Sequence, residues 1–289
     1  INILINTFIV MYNINQLSSN SSFIIQSPKY LLEYSFNKNT DSWINILNYL
    51  NISITELSKL NLLKLLIDKH QELVIKLGSN YNILKEYRFS NDINNKTKGF
   101  VQFMFYFKCN YLQDNNICNG FIIVMPHFSL GNIGTFNWNQ KNIHILHSSI
   151  KHAFLSYIQL YAIGYLHGDF HPGNVLLKKT KLKHIDYNIE NIGEFKNIPT
   201  NGIRTWIMDF EKIEKIENIH DVTTLNDFYF DMKKFLVFIQ QNIFITNINK
   251  ISLISFENYI NTLISMNGKL LNKKNIIDIL KLIDKITLQ

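Results

Sequence analysis

The sequence predicts an α+β fold in which a small antiparallel sheet precedes a mainly helical part. Two observations predict it. Residues 100–109 (FVQFMFYFKC) and 121–125 (FIIVM) are aromatic and β-branched runs bounded by polar loops, the pattern of two sheet strands. Residues 139–165 then contain no proline, and Ile150, Phe154, Ile158 and Tyr161 recur at helical spacing, which predicts one long helix. At 289 residues the chain can bury a large core.

The elements follow in order. The first stretch, INILINTFIVMYNINQL, has no basic leader and is broken by Asn, so it matches neither a signal peptide nor a membrane span. It begins with Ile1, which leaves Met11 as a start or the chain as a fragment. Residues 18–29 are polar and are expected to form a loop. Residues 41–49 and 55–67 have helical patterns, although 62–67 reads equally as a strand paired with 73–77 through DKHQE. ELVIKLG places Lys76 on a short apolar strand, and YNILKEYRF carries Glu86 ten residues on. KKTKLK at 178–183 reads as a solvated hairpin. NDFYFDMKKFLVF sets Phe228, Asp231, Met232, Phe235 and Phe238 at helical spacings, with Asn226 or Asp227 as a possible cap.

Two motifs carry chemistry. HGDFHPGNVLL runs from His167 to Leu177, and IMDFEK from Ile207 to Lys212. In the first, Pro172 and Gly173 allow a tight loop that turns Asp169 and Asn174 toward one point, and Val175, Leu176 and Leu177 form a strand behind it. In the second, the apolar Ile207 and Met208 end on Asp209. Two strand ends side by side would present Asp169, Asn174 and Asp209 together. Such a set suits phosphoryl transfer, which asks the protein mainly to position a hydroxyl and neutralise charge. Magnesium takes hard oxygen ligands, usually one or two carboxylates beside phosphate and water, so Asn174 and Asp209 are suitable donors. Asp169 would orient the incoming hydroxyl.

These motifs resemble the catalytic loop and metal-binding motif of the protein-kinase-like superfamily, written HRDLKPEN and DFG in many protein kinases. HGDxHxxN, with Glu211 after the Asp-Phe pair, is similar to the aminoglycoside phosphotransferase and choline kinase groups. The run MPHFSLGNIG, then HGDFHPGN, then a lysine-rich hairpin ending in IMDFEK also resembles divergent serine/threonine kinases of large DNA viruses. The resemblance covers roughly residues 55–245 and implies a two-lobed protein-kinase-like fold: an extension over 1–52, partly helical, an N-lobe over 53–127 and a C-lobe over 128–289. It implies ATP and Mg2+ as cofactors. Lys76 would hold the nucleotide phosphates and pair with Glu86, Met125 to His127 would form the adenine-binding hinge, and Gly131 and Gly134 would turn the chain into the second lobe. Asp169 would be the base, Asn174 and Asp209 the metal ligands, and His171 a donor to the γ-phosphate whose charge depends on pH. Asp227 resembles the helix aspartate that braces the catalytic loop.

The departures shape the functional expectation. No glycine-rich loop precedes Lys76; Ser58 and Asn61 lie where the backbone should approach phosphate. Gly168 replaces the arginine that grips an activation-loop phosphate, and no APE-like segment follows. Three readings stay open: a protein serine/threonine kinase, which the viral resemblance favours; a small-molecule kinase acting on an alcohol; and a pseudokinase scaffold. The net charge of +7 and pI near 9.1 permit anionic partners, but the lysines are interleaved with acids, and neither a specific nucleic acid nor a membrane is expected as a partner. The two cysteines, Cys109 and Cys118, could meet across a hairpin yet are expected to stay reduced. His144, His147 and His152 are expected on a helix surface or in core contacts, and without an HExxH pattern no zinc is expected. With no targeting segment visible, the expected location is the cytoplasm, or host cytoplasm or virion if viral.

Overall fold

The computed structural model describes residues 22–26, 31–35, 53–58, 62–67, 71–78, 81–94, 96–103, 105–113, 116–241, 250–265 and 271–286. They are a mixture of antiparallel strands and helices, an α+β architecture. The chain divides into two compact units, the first ending at Asn91 but including Gln102–His127, the second comprising Asp92–Val101 and everything from Phe128. The helical expectation for 41–49 lies outside the described residues.

The first unit is built on a seven-stranded antiparallel sheet. Its strands are β1 (Ser22–Gln26), β2 (Leu31–Ser35), β3 (Ser53–Ser58), β4 (Leu62–Ile67), β5 (Gln71–Gly78), β6 (Phe105–Gln113) and β7 (Asn116–Pro126), ordered β2-β1-β6-β7-β5-β4-β3. The strand reading of 62–67 holds: β4 pairs with β5 from Leu62 opposite Lys76 to Ile67 opposite Gln71. On its other side β5 pairs with β7, Lys76 opposite Ile123 and Val74 opposite Met125, so Lys76 sits on an interior strand held from both edges.

Three expectations need correction here. Thr55–Ser58 are not helical: they belong to β3, because pairing with β4 outweighs a weak helical pattern. Ser22–Gln26 are a strand rather than a loop, since the apolar core of SFIIQ finds partners in both β2 and β6. Residues 100–109 are not one strand. Phe105 starts β6, whereas Val101 donates its N–H to Ile207 in the second unit. Across β6 and β7, Cys109 lies opposite Gly120 and Cys118 opposite Tyr111. Helix α1 (Tyr81–Ile93) buries Ile83, Glu86, Tyr87, Ser90 and Ile93, one face of a 3.6-residue period.

In the second unit a turn at Gln140–Asn142, capped by Asn139, leads into α2 (Ile143–Ala162), within the predicted helix. Residues from Ser148 to Tyr161 are buried almost without a break, apart from Lys151, because α2 is covered on several faces. On one lies an inserted hairpin, β10 (His184–Ile189) with β11 (Gly193–Pro199), between β9 (Val175–Lys179) and β12 (Ile203–Ile207). On others lie α3 (Val222–Gln241), α4 (Lys250–Ser265) and α5 (Lys273–Ile283), whose Phe235 and Phe256 pack on Phe154 at 5.3 and 5.9 Å between ring centroids. Lys178, Lys179, Lys181 and Lys183 are exposed as expected, but 178–183 is not a hairpin: it joins β9, which pairs with β12, to β10, which pairs with β11. His152 and His147 make the core contacts open to them: His152 bridges the hairpin, accepting from the Tyr187 hydroxyl (2.8 Å) and donating to the Pro199 carbonyl (3.0 Å), and His147 donates to the Ile286 carbonyl. Among the described residues no helix is long and apolar enough to cross a membrane.

Candidate functional site

The loop between β8 (Tyr165–Leu166) and β9 is clamped at both ends. β8 pairs with β13 (Glu214–Lys215), and β9 pairs with β12 so that Val175 faces Ile207. Inside it, Phe170 is the anchor. It is fully buried and stacks on Tyr157 of α2 at 4.3 Å and Phe235 of α3 at 4.7 Å. Phe210 is likewise fully buried behind Asp209, near His167 and Phe100. Each aromatic helps hold the adjacent acid in place by filling the core.

His167 joins the two motifs. It is fully buried, and its pKa is pushed down to about 4, first by burial and against the neighbouring Asp209 and Asp169 charges, so the ring is neutral. Its Nε2–H donates to the Met208 carbonyl at 2.9 Å, and Nδ1 accepts the Asp169 N–H at 3.3 Å. Asn174 makes the second tie. Its carbonyl accepts from Met208 N at 2.9 Å, and its Nδ2 donates to the Asp169 carbonyl at 3.0 Å. A carbonyl can only take a donor, so the amide orientation is set. The amide oxygen has no hydrogen bond among the described residues, and oxygen is the atom a hard cation takes. Asp209 follows Met208 with φ 66°, a left-handed turn that Asp tolerates better than most residues.

The Asp169 carboxylate is shared by cations. Lys212 Nζ lies 3.2 Å from Oδ2, Lys234 Nζ lies 3.6 Å from Oδ1, and His171 Nε2 stands at 4.0 Å. Burial alone would raise its pKa; the Lys212 hydrogen bond and the His171, Lys212 and Lys234 charges outweigh it and hold the carboxyl below the usual range. Burial lowers the pKa of His171, against the Asp169 charge. Its Nδ1 accepts the Gly173 N–H at 3.1 Å, which leaves the proton on Nε2, and its ring lies 4.9 Å from Phe238.

Sequence reasoning placed the loop's brace one turn of helix too early. Asp227 is exposed, while Asp231 is buried, accepts the Tyr157 hydroxyl at 2.7 Å and receives the Gly168 N–H. Burial pushes the Asp231 pKa up, and these bonds counter it. The available signal was an acid on the apolar stripe of Phe228, Met232 and Phe235, where a charge needs a built partner. Neither Asn226 nor Asp227 caps the helix; the Asp221 carboxylate accepts the Thr224 N–H at 3.1 Å. Lys212, Lys234 and Phe170 were also missed, Lys234 because only folding brings α3 to the loop.

Gly168 is required on two counts. Its φ is 73°, and a Cβ there would stand 2.5 Å from the Lys212 carbonyl oxygen. Gly202 has φ 82° with nothing within 4 Å. Gly168→Ala is therefore expected to cost more stability than Gly202→Ala, whose cost is backbone strain alone, about 1 kcal/mol. Equal losses in chemical denaturation would remove the contact from the account.

In the first unit Lys76 Nζ pairs with Glu86 Oε1 at 2.7 Å; Glu86 is 1% exposed and the lysine 15%. The two residues singled out in sequence thus meet, with the carboxylate desolvated and charge-compensated. Met125 is buried at the end of β7, and His127 is half-buried just beyond Pro126. Gly131 has φ 72° and its carbonyl accepts from Leu177 N, whereas Gly134 does not need the left-handed region. A scan against protein-family models finds no match for this chain, and a search of curated proteins finds none.

Proposed function

We propose that the protein is an ATP-dependent phosphotransferase of two-lobed, protein-kinase-like design, acting on a protein serine or threonine hydroxyl. The observation that supports it most is the locked set of Asp169, Asn174 and Asp209. Two bonds tie motifs distant in sequence, Met208 N–H to the Asn174 carbonyl and His167 Nε2–H to the Met208 carbonyl, and two more hold the loop itself, Asn174 Nδ2 to the Asp169 carbonyl and the Asp169 N–H to His167. Asp169 accepts the acceptor's hydroxyl proton and orients the oxygen for in-line attack on the γ-phosphoryl group. Asn174 Oδ1 and the Asp209 carboxylate are an oxygen donor set that fits magnesium, which when bound neutralises charge on the nucleotide phosphates. Lys76, held by Glu86, is a fixed cation suited to a phosphate group.

A binding scaffold without turnover is the second reading. It is favoured by one feature: residues 59–61, joining β3 to β4, contain no glycine.

The test is transfer of labelled γ-phosphate with magnesium, offering acidic and basic proteins in one series and amino-alcohols and aminoglycosides in another. Label on protein, abolished by chelation, is expected. Lys76→Ala should lower kcat/KM roughly 10²–10³-fold. Because Glu86 would be left buried and uncompensated, the double variant Lys76→Ala/Glu86→Gln serves as the folded control. Absence of transfer to every acceptor, with no ATP-dependent thermal shift, puts the scaffold reading first.

A further inference from the structure

Resting on the phosphotransferase reading, we infer that the acceptor is an acidic peptide segment, a hydroxyl residue flanked by carboxylates, selected by Lys212 and Lys234. Both lysines converge on the Asp169 carboxylate from different elements. Lys212 comes from the segment after β12 and reaches Oδ2 at 3.2 Å; Lys234 comes from α3 and reaches Oδ1 at 3.6 Å. They are well exposed, at 63% and 47%, while Asp169 is 22% exposed, so a substrate can reach all three.

The chemistry follows from competition for one carboxylate. Lys212 hydrogen-bonds one oxygen and Lys234 is ion-paired with the other, and an uncharged hydroxyl lacks the full opposite charge that attracts both ammonium groups to this carboxylate. An acceptor bringing its own carboxylates gives the ammonium groups new partners. Lysine suits this exchange, since its charge sits on a flexible stem and can swing between anions. Of the neighbouring acids, Asp231 is buried and engaged by Tyr157 and Gly168, and Asp209 is assigned to the metal. A polycationic acceptor meets the reverse situation, because two lysines stand at the position its hydroxyl must occupy, and like charges in such a site cost several-fold or more in affinity. The cluster therefore separates the protein-acceptor reading from the aminoglycoside-like one.

The experiment is a kinetic series on peptides with one Ser or Thr at a fixed position and Glu, Gln or Lys at each flanking position in turn. It is run on the intact chain and on Lys212→Gln, Lys234→Gln and the double variant. The expected order is Glu over Gln over Lys, with kcat/KM for the best Glu peptide at least about tenfold above its Gln counterpart. The difference should lie mainly in KM and shrink with added salt. In the double variant the Glu-over-Lys preference should collapse while Asp169-dependent transfer persists. Charge-indifferent transfer, a preference that survives the double variant, or label confined to cationic amino-alcohols would each overturn the assignment of the two lysines. Asp169-dependent ATP hydrolysis without acceptor is measured alongside. If hydrolysis and transfer are both absent, the phosphotransferase reading falls first, and this inference with it.

Discussion

Asp169→Asn is expected to lower phosphoryl transfer roughly 10²–10⁴-fold, the contribution of a positioned general base, while the protein folds normally and binds ATP. Asn keeps the shape and a hydrogen-bonding oxygen but cannot take the hydroxyl proton. Folding should survive because the ion pairs lost are with exposed lysines, and such pairs are worth about 0–1 kcal/mol. The loop itself is held by Phe170, Asp231 and His167, none of which contacts the Asp169 carboxylate through a hydrogen bond that the substitution removes. The loss should appear in kcat, with the ATP-dependent thermal shift retained. Because the lysines hold the Asp169 carboxyl below the usual range, the wild-type rate should show no acid limb from this group near neutrality. Unchanged turnover in the variant would remove Asp169 from the mechanism.

Acid should unfold the protein earlier than its surface carboxylates alone would. His152 and His167 are both fully buried, and burial pushes each from the ordinary 6.5 to about 4. A base whose pKa is lower in the folded chain takes its proton first in the unfolded chain. Stability is therefore fully present above about pH 6.5 and is lost as pH falls from there to about 4. Each histidine contributes a loss on the order of 3 kcal/mol over that window. Around His152 the Arg204 and Lys151 charges act in the same direction as burial, and the Pro199 bond opposes them. Around His167, Asp209 and Asp169 oppose and His171 assists. Asp231, whose pKa is raised, takes its proton earlier in the folded chain and offsets part of the loss. Denaturant titrations from pH 8 to 4.5 should show the decline, and His152→Gln should flatten its slope while lowering stability at pH 8. A wild-type curve without slope between pH 7 and 4.5 would show that these rings are not held neutral by folding.

The site was legible wherever the chemistry is local. HGDFHPGN and IMDFEK each place a polar group at the end of an apolar strand, and the strand pairing of Val175 with Ile207 brings those ends together without reference to any other element. Lys76 and Glu86 could be named because strand and helix adjoin in sequence. Legibility failed where partners are distant. Residues 100–109 read as one strand because their composition is uniform, yet Val101 and Phe105 pair with different units. Asp227 and Asp231 lie on one helix pattern, and only the packing of α3 on α2 decides which of them is buried against Tyr157.

By itself, then, the sequence determined the α+β class, the strand of Lys76, the long helix and the residues of the proposed chemistry, because hydrophobic period and turn residues act over a few positions. Tertiary structure alone decided that His167 is a neutral bridge, that Asp231 is the brace and that Lys212 and Lys234 share Asp169. Those outcomes depend on desolvation and on charges brought together across many residues of intervening chain, quantities that exist only once the core has closed.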